Sequence, residues 1–347
     1  MSKRSRLLES IAETIVDYRE GEIPVPTPEH VNTWIKQFDD EVQTLMLVEL
    51  DHVLKHTYFS KKNVKDFLAG LVKNKKLASD DPCSFWEKVK FLSIQGGGNS
   101  QREMLEMFDC VLEDECGFKT NESGKKPTIY LYLDDAIFTG NRVRTDLGNW
   151  IMSDAPDETK VHVVTIVLHR GGQYFASNKI KESAKAAGKK IEVKWWRSIE
   201  IEDRKSFIDS SDVLRPTSIP DDAEVQAYAQ SLKYLPVLRT PGNIGENSFF
   251  SCEEGRSLLE QELLIAGVRI RSMCPHLNVY QRPLGNIILE TLGFGSLLIT
   301  FRKCPNNCPL AFWAGDPWYQ LFPRSTNSDA FMKRLLESFR RGKTKKG

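Results

Sequence analysis

The chain has 347 residues, 40% of them hydrophobic, which is enough for about two domains with real cores and excludes a largely disordered polymer. Its 48 Lys and Arg nearly cancel its 47 Asp and Glu, so a whole-molecule basic field is excluded, and nucleic-acid contact would need a local patch. No apolar run approaches the roughly 18 residues needed to cross a bilayer, and the basic start Met1–Arg6 leads into an amphipathic pattern, so a soluble, cytoplasmic protein without a membrane segment is expected.

Residues 1–82 read as a helical N-terminal region. Leu8, Ile11, Ile15 and Tyr18 share one helical face, and Gly21–Pro26 breaks it. Thr27-Pro28 supplies an N-cap and a first-turn proline for a second helix carrying Val31, Trp34, Ile35 and Phe38. A third helix is predicted over Glu41 to His56. Ser60 caps a fourth, where Val64, Phe67, Leu68, Leu71 and Val72 repeat at spacings of three and four. The charged, breaker-rich stretch Lys73–Pro82 reads as a linker. This helical region lacks a clear basic recognition face and is expected to pack or to dock a protein or nucleoprotein partner.

Residues 83–215 alternate short apolar runs with helical stretches. Strands are predicted at Phe91–Gln95, Thr128–Leu133, Val161–Leu168 and Ile191–Trp196, with helices at Arg102–Leu112, near Arg142–Met152 and at Tyr174–Ala187. Such alternation predicts an α/β fold, a parallel sheet covered by helices, with ligands at the carboxyl ends of the strands. Residues 216–330 are less regular and read as an α+β extension. A helix is predicted over Glu253–Gly267, and strands over Gly295–Phe301 and Leu310–Trp313 flank the turn Cys304–Pro309. Residues 331–347 form a basic tail, with Arg340, Arg341, Lys343, Lys345 and Lys346, that reads as a solvated terminus. Seven scattered cysteines, an odd number, predict a reducing compartment and no structural disulfide.

The chemistry concentrates in Thr128–Leu147, TIYLYLDDAIFTGNRVRTDL. An apolar strand ends in Asp134 and Asp135, and the turn Phe138-Thr139-Gly140-Asn141-Arg142 leads into a helix. Backbone amides at a helix N-terminus favour a phosphate, and Gly140 lets the backbone approach it. Ionised carboxylates accept hydrogen bonds from a sugar diol. Together these features describe a sugar-phosphate site; two acids alone would better suit a solvated sheet edge. An earlier strand is followed by Gly96-Gly97-Gly98-Asn99-Ser100, whose amides and hydroxyl suit a diphosphate, although three glycines alone also suit a flexible link. Asn306 and Asn307, stiffened by Pro305 and Pro309, offer donors and acceptors to the acceptor side of a ligand; an ordinary surface turn accounts for them equally well. His169 and the tryptophans Trp34, Trp195, Trp196, Trp313 and Trp318 read as packing residues. Cys304 and Cys308, four apart without a second ligand pair, read as inert thiols rather than a metal site.

The segment Tyr130–Gly140 resembles the phosphoribosyl pyrophosphate (PRPP) motif of type I phosphoribosyltransferases: four apolar strand residues, two acids, two small or apolar residues, then Thr-Gly. The resemblance implies that Asp134 and Asp135 hold ribose hydroxyls, that Phe138–Arg142 holds the 5′-phosphate, that Gly96–Ser100 holds pyrophosphate, and that Mg²⁺ accompanies PRPP. Phe138 stands where a small residue is usual, and Asn141-Arg142 replaces a small pair. Arg142 either adds a bidentate phosphate contact or closes the site by its size. Arg282–Gly285, Gly293–Gly295 and Phe301–Gly315 further resemble the tails of phosphoribosyltransferase-like effectors of bacterial conflict systems, some partnered with retrons. An active transferase, a PRPP- or nucleotide-sensing module and an adaptor all remain open, as does the oligomeric state.

Overall fold

The computed structural model describes residues 2–96, 99–274 and 276–324. Four helices, α1 (Lys3–Thr14), α2 (Pro28–Ile35), α3 (Asp40–Thr57) and α4 (Lys61–Val72), make up most of the N-terminal region, with a two-residue strand β1 (Tyr58–Phe59) between the last two. Short helices α5 (Lys75–Ala78) and α6 (Pro82–Glu87) lead to β2 (Val89–Phe91), α7 (Ser100–Cys116), β3 (Ile129–Ile137), α8 (Asn141–Ser153), β4 (Glu158–His169), α9 (Arg170–Ala186) and β5 (Lys190–Ile201). Then follow α10 (Ala223–Ser231), α11 (Glu253–Met273), the small strands β6 (Gln281–Arg282), β7 (Gly285–Asn286) and β8 (Ile299–Thr300), and α12 (Leu310–Trp313).

The predicted starts rest on side-chain caps. Thr27 accepts the His30 amide with Pro28 in the first turn, and Ser60 forms a reciprocal capping box with Asn63. The main sheet is parallel in the order β2-β3-β4-β5. Helices cover both faces: α7 shares the larger core with Leu131 and Leu133, while α8 and α9 pack with Tyr132, Val161 and Val163 in a smaller one. The fold is therefore α/β, as the alternation predicts. Trp195 and Trp196 join opposite cores, as neighbours on a strand should, and Trp34, Trp313 and Trp318 are buried.

Several expectations need correction. The strand predicted from Phe91 instead occupies Val89–Phe91, because its ladder partners are Ile129–Leu131. Lys73–Pro82 is not an open linker: Asn74 and Asp81 cap short helices there, and Leu77 and Ala78 are buried. Leu310–Trp313 is helical, with Pro309 and Leu310 carbonyls accepting the amides of Phe312 and Ala314. A four-residue apolar run does not distinguish a buried strand from a buried helix turn. Of Gly295–Phe301, only Ile299–Thr300 pairs as strand, in parallel with Tyr58–Phe59. Cys83 and Cys116 form a disulfide, with Cα atoms 5.4 Å apart. Helices α6 and α7 come together because Trp86 packs edge-on against Phe108, and spacing along the chain carries no record of that proximity. The expectation of no structural disulfide is corrected accordingly. No described helix is long and apolar enough to cross a membrane.

The larger core draws on residues from Leu8 to Phe322, on both sides of positions 82 and 215. Trp34 donates its indole N–H to the Ala311 carbonyl, 2.7 Å, and Tyr18 its hydroxyl to the Pro323 carbonyl, 3.1 Å. The C-terminal segment thus returns across the N-terminal helices, which places residues 301–303 over the carboxyl end of β3.

Candidate ribose-phosphate site

Strand β3 extends through both acids to Ile137. Its alternation slips on the way. Leu133 faces the larger core; three residues of strict alternation later, Ala136 should face the smaller one, but it packs with the larger and Ile137 with the smaller. The ladder to β4 passes from Asp134↔Thr165 to Ala136↔Val167, skipping Asp135 and Ile166. Adjacent strand side chains normally point to opposite faces; the slip brings the carboxylates of Asp134 and Asp135 together. Asp134 accepts the amide of Asp135, 2.9 Å, and Asp135 accepts the amide of Ala136, 2.8 Å. The Thr165 hydroxyl, 3.0 Å from the Asp135 carbonyl, braces the slip from β4.

Both acids are buried, at 5% and 4% exposure, yet their electrostatics diverge. Burial, then the charge of Asp135, pushes Asp134 up to about 7, while Ser100 and Lys303 work the other way. Burial also opposes the charge on Asp135, but Lys303 and Arg302 more than offset it and hold Asp135 below the ordinary carboxylate range. Arg302 Nη1 lies 2.8 Å from Asp135 Oδ2, and its Nε contacts Glu103 on α7. The pair thus carries one firm negative charge and one carboxyl that titrates near neutrality.

After Ile137 the chain turns through Phe138–Gly140 into α8. Gly140 caps the helix with φ +73°, and a Cβ there would collide with the Gly172 carbonyl. In return, a Cβ on Gly172 would strike the Phe138 carbonyl. Two glycines from successive helix starts therefore let the turn lie directly on α9, in a conformation that other residues adopt at a cost. The first amides of α8 lack intrahelical partners by geometry and carry the positive end of the helix dipole. Thr139, Asn141 and Arg142 are exposed at this end. The Asn141 amide approaches Thr139 Oγ1 at 3.4 Å, and the Asn141 carboxamide accepts from Arg144 at 2.7 Å. Phe138 packs inward on His169, with ring centroids 5.1 Å apart, and His169 meets Phe294 edge-on at 5.0 Å. His169 is thus a core residue at the end of β4.

The loop before α7 is anchored beside the acids. Gln101 Oε1 accepts the amides of Ile94 and Gln95, and Asp146 accepts the Gly96 amide at 3.3 Å and the Tyr132 hydroxyl at 2.9 Å. Gln95 Nε2 reaches the Ser100 hydroxyl at 2.9 Å, and Ser100 borders Asp134. Gly97 and Gly98 lie outside the described residues. Asn306 and Asn307 face the β6–β7 segment: the Asn306 carbonyl accepts the Asn286 amide, and Asn307 Nδ2 donates to the Asn286 carbonyl. From the same C-terminal stretch it is Arg302 and Lys303 that reach the acids. Sequence reasoning missed them, along with Glu103, Gln101 and Asp146. The signal available was the basic pair just before Cys304, opposite in charge to Asp134-Asp135.

A family model described as PRTase-CE matches residues 31–324. The chain belongs to this phosphoribosyltransferase-like family. No curated protein and no solved structure matches it. The PRTase-CE match takes in the four-stranded sheet, the acid pair and the C-terminal segment with Arg302, and it begins at Val31, within α2. In this PRTase-CE chain the acid pair has the right donor chemistry for a hard divalent cation, but Asp135 is already paired with Arg302.

Proposed function

We propose that the chain binds PRPP or a related ribose phosphate at the carboxyl end of β3 and transfers or cleaves its phosphoribosyl group, as an effector in bacterial antiphage defence. One observation carries the reading: two buried acids brought together by the strand slip stand immediately before a glycine turn into the N-terminus of α8. On this reading Asp135, held anionic, accepts the ribose hydroxyls. Asp134 accepts or donates according to its protonation. The amides of the Phe138–Arg142 turn take the 5′-phosphate, and Arg142 adds charge. The Gly96–Ser100 stretch, whose Gly96 amide donates to Asp146, would take the leaving diphosphate. Mg²⁺ would neutralise that diphosphate when bound, arriving on the ligand's own phosphates and meeting Asp134. The resemblance to conflict-system effectors supports the biological role.

Arg302 favours a second reading, a sensor that binds without turnover, because its guanidinium covers one of the two acids. An adaptor docking partners through the N-terminal helices is the third. Incubation with PRPP and Mg²⁺ separates them. Release of pyrophosphate is the outcome expected of a transferase; saturable binding without release identifies the sensor; neither response leaves the adaptor.

A further inference from the structure

A cavity of 340 Å³ opens at the carboxyl end of β5, in the size range of small-molecule sites. It shares no lining residue with the acid pair, the Phe138–Arg142 turn or Ser100. Two segments wall it, Tyr234–Val237 and Leu284–Gly293, and its interior is chiefly aliphatic, with Leu214, Pro236, Leu284 and Leu292. Leu284 and Leu292 are buried, while Tyr234 and Leu235 are 65% and 85% exposed at the rim.

Four charged residues line it: Asp203, Lys205, Arg215 and Glu290. The two acids already have partners. Asp203 accepts the Gly171 amide at 2.7 Å and lies 3.5 Å from His169 Nδ1; Glu290 accepts the Lys233 amide at 3.0 Å. The cations differ. Arg215 Nη1 is fixed by the carbonyls of Leu214, 2.8 Å, and Phe294, 2.9 Å. Among the described residues no carboxylate lies within ion-pair distance of its guanidinium, although the Arg215 backbone amide donates to Glu260 at 2.9 Å. Arg215 thus lines an apolar cavity with no ion pair of its own. Asp203 and Glu260 act on it from beyond ion-pair distance and are engaged elsewhere, Asp203 by the Gly171 amide and Glu260 by Arg239 and Arg256, so a ligand carboxylate would find a cation without a direct partner. Lys205 is exposed at the rim of the same cavity.

We propose that this cavity binds a small amphipathic carboxylate, its apolar body between the two walls and its carboxylate on Arg215, with Lys205 adding positive charge at the mouth. The site is independent of the ribose-phosphate reading. The test titrates the full chain with decanoate, decanol and decylamine by calorimetry. Decanoate is expected to bind saturably, one per chain, with a Kd below about 1 mM, and the alcohol and amine at least roughly tenfold more weakly. Arg215→Gln should cost at least roughly tenfold in decanoate affinity. Because that variant also loses two carbonyl contacts, Val237→Trp provides the second arm: Val237 is 45% exposed, so a larger side chain fills the cavity from its rim and should abolish binding in a folded protein. The proposal is overturned if decanoate does not bind saturably, if decanol or decylamine binds as tightly, or if folded Val237→Trp binds decanoate as wild type does.

Discussion

At the scale of single residues, Asp134 and Asp135 show how one strand position decides a charge. Asp135 has Arg302 and Lys303 and stays ionised; Asp134, buried beside the charge of Asp135, is pushed up to about 7. Linkage then fixes a sign. The folded state holds a proton on Asp134 that the unfolded state releases near its ordinary value of 3.8, so this residue's contribution makes stability fall as pH rises from about 4 to about 7. His162, lowered by burial to about 4, acts oppositely over much of that window, since the unfolded chain takes up its proton first. Comparison with Asp134→Asn isolates the acid. Urea unfolding across pH 4 to 7 should show the variant gaining stability relative to wild type as pH rises; a constant difference would remove the raised Asp134 from the account. The motif itself was legible in the sequence, because four apolar residues, two acids and Thr-Gly are contiguous. Arg302 was not legible as a partner, because it lies 167 residues away and only the return of the C-terminal segment brings it near.

At the scale of elements, the turn between β3 and α8 depends on a residue from another element. Gly140 was identified for its backbone freedom, and its positive φ agrees. Gly172 was unremarked, since a glycine in the first turn of a helix has no local signature; its role exists only because α9 lies against Phe138. Gly172→Ala is expected to lower stability by roughly 2–4 kcal/mol, as overpacking against backbone does, and denaturant midpoints measure it. A loss of less than about 0.5 kcal/mol, the range of ordinary surface changes, would show that the turn and α9 separate without cost. Element types in the sheet were readable because strand and helix periods alternate there. The strand slip at Asp135 was not, since one residue of phase leaves the same composition on either side.

At the scale of the whole molecule, the N-terminal helices and the C-terminal extension contribute to one hydrophobic core. Besides the shared core, Glu49 on α3 is buried and accepts the Ser251 amide at 2.9 Å and the Ser251 hydroxyl, at the start of α11. A carboxylate there also complements the helix dipole. Glu49→Ala should therefore cost roughly 1–3 kcal/mol. It should shift the unfolding monitored by far-ultraviolet and near-ultraviolet circular dichroism together, because the larger core joins the two regions that Glu49 and Ser251 connect. Two separated transitions in wild type would show that residues 1–82 and 216–324 are independent after all. Sequence divided the chain by texture, helical then alternating then irregular, and texture does not register that Trp34 ends against Ala311.

The most direct test of the ribose-phosphate site is calorimetric titration of PRPP with Mg²⁺ into the wild type and into the double variant Asp134→Asn, Asp135→Asn. Both substitutions keep side-chain shape and remove the carboxylates that would hold the diol. Saturable binding to wild type, weakened at least roughly tenfold in a double variant that unfolds as cooperatively as wild type, is the predicted result. No binding by wild type, or equal binding by both proteins, would contradict it.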